Sequence, residues 1–150
     1  AKEENPDEMG WSLELGYSID FQSDKIVAIS RNEYSSTGGA HPNGHTSFLN
    51  FDPKTGKLLT NADLIADEKG LLPVVEKYFR KHWAEALGGN LNGDLNEAGF
   101  MFDNGFQLPK NISIDKNNLI LFYNTYEIAP YVMGETDLRI PLSEVKQFLK

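Results

Sequence analysis

The first clear pattern in the chain is a strict alternation of apolar and polar residues over 11–21. Every odd position is apolar, whereas the even positions hold serine, glycine, glutamate and aspartate. Successive side chains of a β-strand point to opposite faces, so this period of two predicts a strand with one buried face and one wet face. A short turn at 22–24 then predicts that residues 25–34 return beside it as a second strand of a hairpin.

A third strand is predicted over 45–51. The turn that follows, at 52–57, begins with aspartate and proline and has glycine near its end, which suits a tight hairpin connection. Residues 57–59 continue as a short strand. Residues 60–64 have the pattern of a capped turn that enters a helical region.

One long helix is predicted over 68–87. Two glycines at 88–89 end it, because glycine readily adopts the left-handed conformation that terminates helices. Apolar residues recur at three- and four-residue steps, which is typical of the buried face of a helix. The residues expected on that face are Leu72, Val75, Phe79, Trp83 and Ala86.

The C-terminal third returns to strand patterns. Residues 100–108 are predicted to form an interrupted strand region, and 111–115 a short strand. Residues 119–126 are apolar on both faces, as in a central strand, and 137–140 alternate again. Ser143 is predicted to cap a short terminal helix.

The order of these elements predicts an α+β fold. Strands come first, then a helix, then more strands, so we expect an antiparallel sheet packed against one long helix, with a short C-terminal helix. The length of 150 residues fits one domain. Residues 11–150 are expected to form that domain, and the polar residues 1–10 a flexible lead-in.

Composition narrows the class of partner. The formal net charge is −8 and there is no basic stripe, so binding to nucleic acid is disfavoured and a basic protein is a better match. The chain has no cysteine, which excludes disulfides, thiolate nucleophiles and cysteine metal sites. No apolar run approaches the roughly 20 residues that span a bilayer, so we expect no membrane insertion of this domain.

The first segment with unusual chemistry lies at 38–45. Two glycines, then His41, Pro42 and Asn43, predict a shaped loop that presents a histidine at a binding surface. The alternative is a purely structural connection whose histidine bonds to nearby backbone. A metal site built from His41 and His45 is not favoured, because ligands four residues apart share a face only on a helix, and this segment is not helical.

The second such segment, at 123–134, gathers tyrosines around Tyr126, Glu127, Pro130 and Tyr131. Tyrosine combines a rigid apolar face with a polar tip, which suits recognition. Glu127 is also a candidate catalytic acid, but glycoside chemistry needs a second carboxylate nearby. The candidates are Asp103, Asp115 and Asp137. A structural role, in which Glu127 accepts hydrogen bonds from loop amides, is the other interpretation.

Other chemistry is not indicated by the sequence. The run at 90–97 alternates possible oxygen ligands, but its register does not fit a calcium-binding EF-hand loop. There is no phosphate loop, no dinucleotide fingerprint and no nucleophile elbow. We therefore expect no cofactor and no metal.

The two unusual segments carry a family resemblance. The motifs GGAHPN at 38–43 and YEIAPY at 126–131, with NFD at 50–52, TGK at 55–57 and Gly134, resemble a bacterial extracytoplasmic domain of unknown function. That domain forms the C-terminal part of the lysozyme-sensing anti-sigma factor and accompanies a deacetylase domain in some peptidoglycan enzymes. The resemblance covers about 11–150. It implies an exported or lipid-anchored protein, and it suggests lysozyme as one basic partner.

These observations predict a binding module of the cell envelope, outside the cytoplasm, that recognises a protein or glycan through the 38–45 and 126–134 loops. The loops are expected to meet in one patch, because loops at one end of a sheet often share a surface. The alternatives are an enzyme that acts on cell-wall glycan through Glu127, and a structural accessory domain. The ligand and the oligomeric state are left open.

Overall fold

The computed structural model describes residues 10–150, so the predicted lead-in lies outside the described residues except for Gly10. The fold is α+β, as predicted, with two antiparallel sheets and one long helix. The strands are β1 (Ser12–Gln22), β2 (Val27–Ser36), β3 (Asn43–Phe51), β4 (Leu58–Leu59), β5 (Asn111–Ile114), β6 (Asn118–Tyr123) and β7 (Thr136–Pro141). Sheet A has the strand order β1-β2-β3-β4, and sheet B has the order β5-β6-β7. The helices are α1 (Asn61–Leu64), α2 (Glu68–Leu87) and α3 (Leu142–Val145), with 3-10 turns at Tyr131–Met133 and Lys146–Phe148.

The long helix α2 carries the core. The Asp67 side chain caps its start by accepting from the Gly70 backbone N–H, and Gly88 ends it in the left-handed region at a φ of 68°. The buried side chains of α2 are Leu71, Val75, Phe79 and Trp83, spaced four residues apart. Burial of one such large apolar side chain contributes about 1.5–3 kcal/mol, so this stripe holds the helix in place.

The predicted face of α2 was right in its centre and wrong at its ends. Leu72 is only half-buried and Ala86 is exposed, whereas Leu71 is fully buried. Three- and four-residue steps fit neighbouring stripes equally well until the packing partner is known. That partner includes β7, because the Trp83 indole N–H donates to the Thr136 hydroxyl over 3.2 Å.

Residues 100–108 do not form the predicted strand region. The segment makes only an isolated bridge between Asp103 and Gly105, and Gly105 turns the chain at a φ of 81°. Phe100 and Phe102 are instead buried with their rings edge-on to Phe79. The aromatic residues that suggested a strand therefore fill the core from a loop.

The C-terminal helix α3 begins at a different residue from the one predicted. The residue that precedes α3 is Pro141, without a side-chain cap, so Ser143 lies inside the helix and does not cap it. Val145 is buried, and Phe148 packs on the first turn of α2. A Cβ on Gly70 would lie 2.7 Å from the Phe148 ring, which is why glycine occupies this helical position.

Strand β1 forms as predicted, but its apolar face is not buried. Trp11 is 83% exposed, Tyr17 63% and Ile19 64%. The polar face of the strand instead lines a groove between the two sheets, where Asp20 accepts a hydrogen bond from the Ser30 hydroxyl over 3.0 Å. A register shift between Ile19 and Phe21 turns Phe21 towards the core, so the alternation of 11–21 does not keep one face throughout.

Asparagine side chains join the two sheets. Asn111 accepts from the Phe48 N–H and donates to the Thr46 carbonyl, both over 2.6 Å. Asn124 accepts from the Thr46 N–H over 2.7 Å and donates to the Thr46 carbonyl over 2.9 Å. The buried Asn50 amide donates to the Ile112 carbonyl over 2.8 Å. The Asn111 and Asn124 amides satisfy the free edge of β3 as a neighbouring strand would, and Asn124 holds the end of β6 beside β3.

Candidate functional site

The two motif loops meet at one end of the molecule, as expected. The imidazole of His41 stacks on the Tyr131 ring, with centroids 3.7 Å apart and planes 16° from parallel. The Tyr126 hydroxyl lies 3.3 Å from His41 Nε2, and the Tyr126 and Tyr131 rings are 5.5 Å apart. We call these three residues the His41 cluster. Its components are 85 and 90 positions apart in sequence, so only the fold brings them together.

The loop that carries His41 is shaped by its neighbours. Gly38 takes a φ of 80°, and the His41 Nδ1 atom lies 3.3 Å from the Pro42 carbonyl oxygen. A neutral imidazole that donates from Nδ1 leaves Nε2 to accept the Tyr126 hydroxyl proton. Asn43 is exposed and begins β3 opposite Ser35. The ring is thus oriented by contacts to two loops.

Tyr126 has an unusual backbone. Its φ is 68°, and among residues 10–150 it is the one non-glycine residue with a positive φ. For such a residue the left-handed region costs about 1–2 kcal/mol. Two bonds close the turn around it, because the Glu127 N–H donates to the Asn124 carbonyl over 3.0 Å and the Asn124 N–H to the Glu127 carboxylate over 2.9 Å. Strain that the surroundings maintain is a feature of functional sites.

Glu127 therefore has the structural role that was one of its two interpretations. Its carboxylate accepts a loop amide and fixes the turn that places Tyr126. Because Asn124 is tied to Thr46, the same turn is also anchored to β3. Glu127 thus stabilises the turn that positions Tyr126 in the cluster.

Apolar and aromatic surface surrounds the cluster. Tyr126 is 54% exposed, Tyr131 40%, and Pro130 is also exposed. Val132, in the 3-10 turn that follows Pro130, is 90% exposed. Val132 was not among the predicted site residues, and its place within the segment 123–134 is the one sequence signal that points to it.

A small pocket lies beside Glu127. It has a volume of about 220 Å³, and both Asp103 and Glu127 line it together with Lys110 and Tyr123. The Tyr123 hydroxyl donates to the Gln107 carbonyl over 2.8 Å. Burial, and secondarily the Glu127 charge, raise the pKa of Tyr123 far above its usual range, so this phenol stays protonated.

The other two candidate carboxylates lie elsewhere. Asp115 and Asp137 line the groove between the sheets, a space of about 560 Å³. Of the three aspartates that were considered, Asp103 is the one that shares a pocket with Glu127. His45 lies in β3 opposite Glu33, outside the cluster. Within residues 10–150, no group of three histidine, aspartate or glutamate side chains is arranged to hold a metal ion.

Comparison with known proteins now places the chain in a family. Residues 58–143 match the family described as "Protein of unknown function (DUF3298)". Since the match spans more than half of the 150 residues, the chain belongs to the DUF3298 family. Its matched region includes Tyr126 and Tyr131 but not His41, so the cluster combines a residue outside that region with two inside it.

Two solved structures share the fold. A DUF3298 family member from Bacteroides fragilis NCTC 9343 superposes with a TM-score of 0.76 at 21% identity, over 93% of this chain and 55% of that one. A DUF3298 family protein from Pseudomonas aeruginosa PAO1 gives a TM-score of 0.72 at 26% identity, over 94% of this chain and 63% of that one. The chain therefore spans less than two thirds of either protein. A search of curated proteins found no match.

None of the helices in residues 10–150 is both long and apolar enough to cross a membrane.

Proposed function

We propose that this chain is a binding module of the bacterial cell envelope, outside the cytoplasm, that recognises a protein through the His41 cluster and its rim. The observation that carries the proposal is the stack of His41 on Tyr131, closed by Tyr126. Exposed aromatic groups held rigidly on loops lose little entropy when a partner binds, which is why tyrosine is frequent at interface hot spots.

The geometry of the cluster supports binding of a partner to an exposed surface, in contrast with binding of a small molecule in a pocket. The cluster and the neighbouring Val132 present apolar groups to solvent, whereas the pocket beside Glu127 holds only about 220 Å³. Small-molecule sites are usually concave and larger than this, at about 300–1,000 Å³. A protein surface therefore suits the exposed rim better than a small ligand does, and a glycan chain that stacks on the tyrosines is the other ligand consistent with it.

The net charge of the chain and its family resemblance both indicate which class of protein the partner belongs to. The net charge of −8 attracts a basic protein. The two motifs resemble the domain of the lysozyme-sensing anti-sigma factor, whose ligand is a basic protein. The proposed partner is therefore a basic protein, and hen-type lysozyme is the first to try.

Titration calorimetry with hen-type lysozyme tests this proposal. Tyr131→Ala should weaken binding by about 1–3 kcal/mol, because it removes a hot-spot ring and the stacking partner of His41. Binding should weaken in high salt, because screening shortens the attraction to about 8 Å at physiological ionic strength.

The matched control is Tyr17→Ala, which removes a similarly exposed tyrosine from β1, outside the cluster. It should leave binding unchanged. Equal affinities for wild type and Tyr131→Ala would remove the assigned surface. Tight binding to an acidic partner that is indifferent to salt would remove the electrostatic part of the proposal.

A second candidate is an enzyme that acts on cell-wall glycan. Asp103 and Glu127 line the same pocket, and this chemistry needs two carboxyl groups at one site. The enzyme hypothesis is disfavoured because the Glu127 carboxylate already accepts a hydrogen bond from the Asn124 backbone N–H. We therefore expect no turnover of muropeptides by the purified chain. Turnover that disappears in Glu127→Gln, with the circular dichroism spectrum unchanged, would establish the enzyme instead.

A further inference from the structure

An apolar pocket opens where the turn between β1 and β2, strand β4 with helix α1, and the turn between β5 and β6 come together. Its volume is about 290 Å³, and most of its wall is apolar. The apolar side chains of the wall are Phe21, Ile26, Leu59, Leu64, Ile114 and Leu142. Ile26 and Leu64 are buried in the core, whereas the other four are only partly covered, so apolar surface stays in contact with water.

Three exposed lysines contribute to the same pocket, namely Lys25, Lys116 and Lys150. The Lys150 ammonium donates to the Ala62 carbonyl. Among residues 10–150, the ammonium groups of Lys25 and Lys116 form no ion pair. Two cations at the pocket are therefore free to bind a ligand.

The two carboxylates that also line the pocket are compensated from outside it. Asp63 pairs with the Lys57 ammonium over 3.0 Å, and Asp115 lies 3.7 Å from the Arg139 guanidinium. Asp115 also accepts from two backbone N–H groups of the turn that follows it, both over 2.7 Å. The balance of charge at the pocket is therefore positive, although the molecule as a whole carries −8.

An apolar wall beside unpaired cations selects a class of ligand. A neutral apolar molecule would leave the ammonium groups without a partner, and a small inorganic anion would leave the apolar wall in water. An alkyl chain with one anionic headgroup satisfies both, because ammonium and carboxylate form charge-assisted hydrogen bonds. The volume lies close to the lower limit of small-molecule sites, about 300 Å³, so it suits a short or medium chain.

We propose that this pocket binds a small amphiphile that consists of a short or medium alkyl chain and an anionic headgroup such as a carboxylate. The chain lies against the apolar wall, and the headgroup bonds to Lys25 and Lys116. The site is far from the His41 cluster, because β2 begins beside the pocket and ends at the loop of His41, and its ten residues span roughly 30 Å. The proposal does not depend on the function proposed for the cluster.

Titration calorimetry of the whole chain with alkanoates of increasing length tests the apolar wall. Affinity should rise about fourfold with each methylene added between butanoate and octanoate, because burial of a methylene contributes about that factor. Equal affinities for butanoate and octanoate would overturn the proposal. A folded wild-type chain that does not bind octanoate would overturn it as well.

Charge variants test the headgroup. Lys25→Glu combined with Lys116→Glu should weaken octanoate binding at least about tenfold, because two cations become carboxylates, and should leave the weaker binding of octanol unchanged. The matched control is Lys77→Glu combined with Lys81→Glu, which changes the net charge equally at two exposed lysines of α2 that do not line the pocket. It should bind octanoate as wild type does. Octanoate affinity that is the same in both double variants would contradict the assignment of the headgroup site.

The location of binding and the source of the headgroup need separate measurements. Octanoate should shift the amide NMR signals of residues 22–26 and 115–118 and leave those of His41 and Tyr126 unchanged. Shifts confined to another region would overturn the proposal. Cosedimentation with phosphatidylglycerol vesicles that the Lys25→Glu, Lys116→Glu variant abolishes, in a chain that does not bind octanoate, would overturn it in favour of a membrane surface.

Discussion

At the scale of single residues, Tyr126 shows how backbone strain can support a surface. Its positive φ is maintained by the two bonds between Asn124 and Glu127 and by the tie from Asn124 to Thr46. The strained backbone directs the phenol towards His41, across a distance of 3.3 Å between the hydroxyl and Nε2. Tyr126 is exposed and its backbone conformation costs energy, so its contribution to the molecule comes from the position of its ring.

Substitutions at Tyr126 separate the backbone from the ring. Tyr126→Gly should leave the free energy of unfolding within about 1 kcal/mol of wild type, because relief of strain offsets the extra chain entropy of glycine. Tyr126→Val should destabilise the fold by about 1–2 kcal/mol, since β-branched residues tolerate a positive φ poorly. Urea unfolding measures both changes. If the proposed site is correct, ligand binding weakens in both variants, and a glycine variant that binds normally would show that the ring is not used.

At the scale of elements, the short helix α1 depends on a single carboxylate. Asp63 accepts from the Thr60 N–H and hydroxyl over 2.9 Å each, and pairs with the Lys57 ammonium over 3.0 Å. The Thr60 backbone bond, then the Lys57 and Thr60 side chains, hold the pKa of Asp63 well below its usual value of 3.8. This carboxylate joins the end of sheet A to the start of the helical segment.

The depressed pKa predicts how stability depends on pH. The unfolded chain takes up the Asp63 proton first, so this contribution is complete above about pH 4 and is lost as the pH falls towards the folded pKa. Asp63→Asn should therefore lower the melting temperature at neutral pH, and the difference from wild type should shrink in acid. Thermal unfolding at several pH values measures it. A difference that grows in acid would contradict the assignment.

Comparison of the predicted and observed elements shows which sequence patterns were sufficient to predict secondary structure. The hairpin of β1 and β2, the long helix and the α+β class follow from periodicity, and the structure confirms them. Periodicity failed for 100–108, because Phe100 and Phe102 are as apolar as strand residues but lie in a turn-rich loop closed at Gly105. It failed at Ser143 because a proline one residue before α3 moved the start of that helix.

At the scale of the whole molecule, two surfaces with different physical properties lie on one chain. The His41 cluster is a compact aromatic site on a protein of net charge −8, whereas the outer face of sheet A has exposed apolar side chains along β1 and polar side chains on parts of β2 and β3. Tyr131 belongs to the first surface and Tyr17 to the second. Tyr131→Ala therefore tests the first surface, and Tyr17→Ala leaves that surface intact.

The sequence by itself determined the local elements, the class of fold and the two loops that carry unusual chemistry. These depend on periodicity, turn residues and short motifs, which act over a few positions of the chain. The tertiary structure alone decided the contact of His41 with Tyr131 and the use of Glu127 as a turn support, because both depend on residues that β3 and β6 bring together. It also decided that the apolar face of β1 points outward. An alternating strand specifies two different faces, but which face is buried depends on where the remaining elements pack.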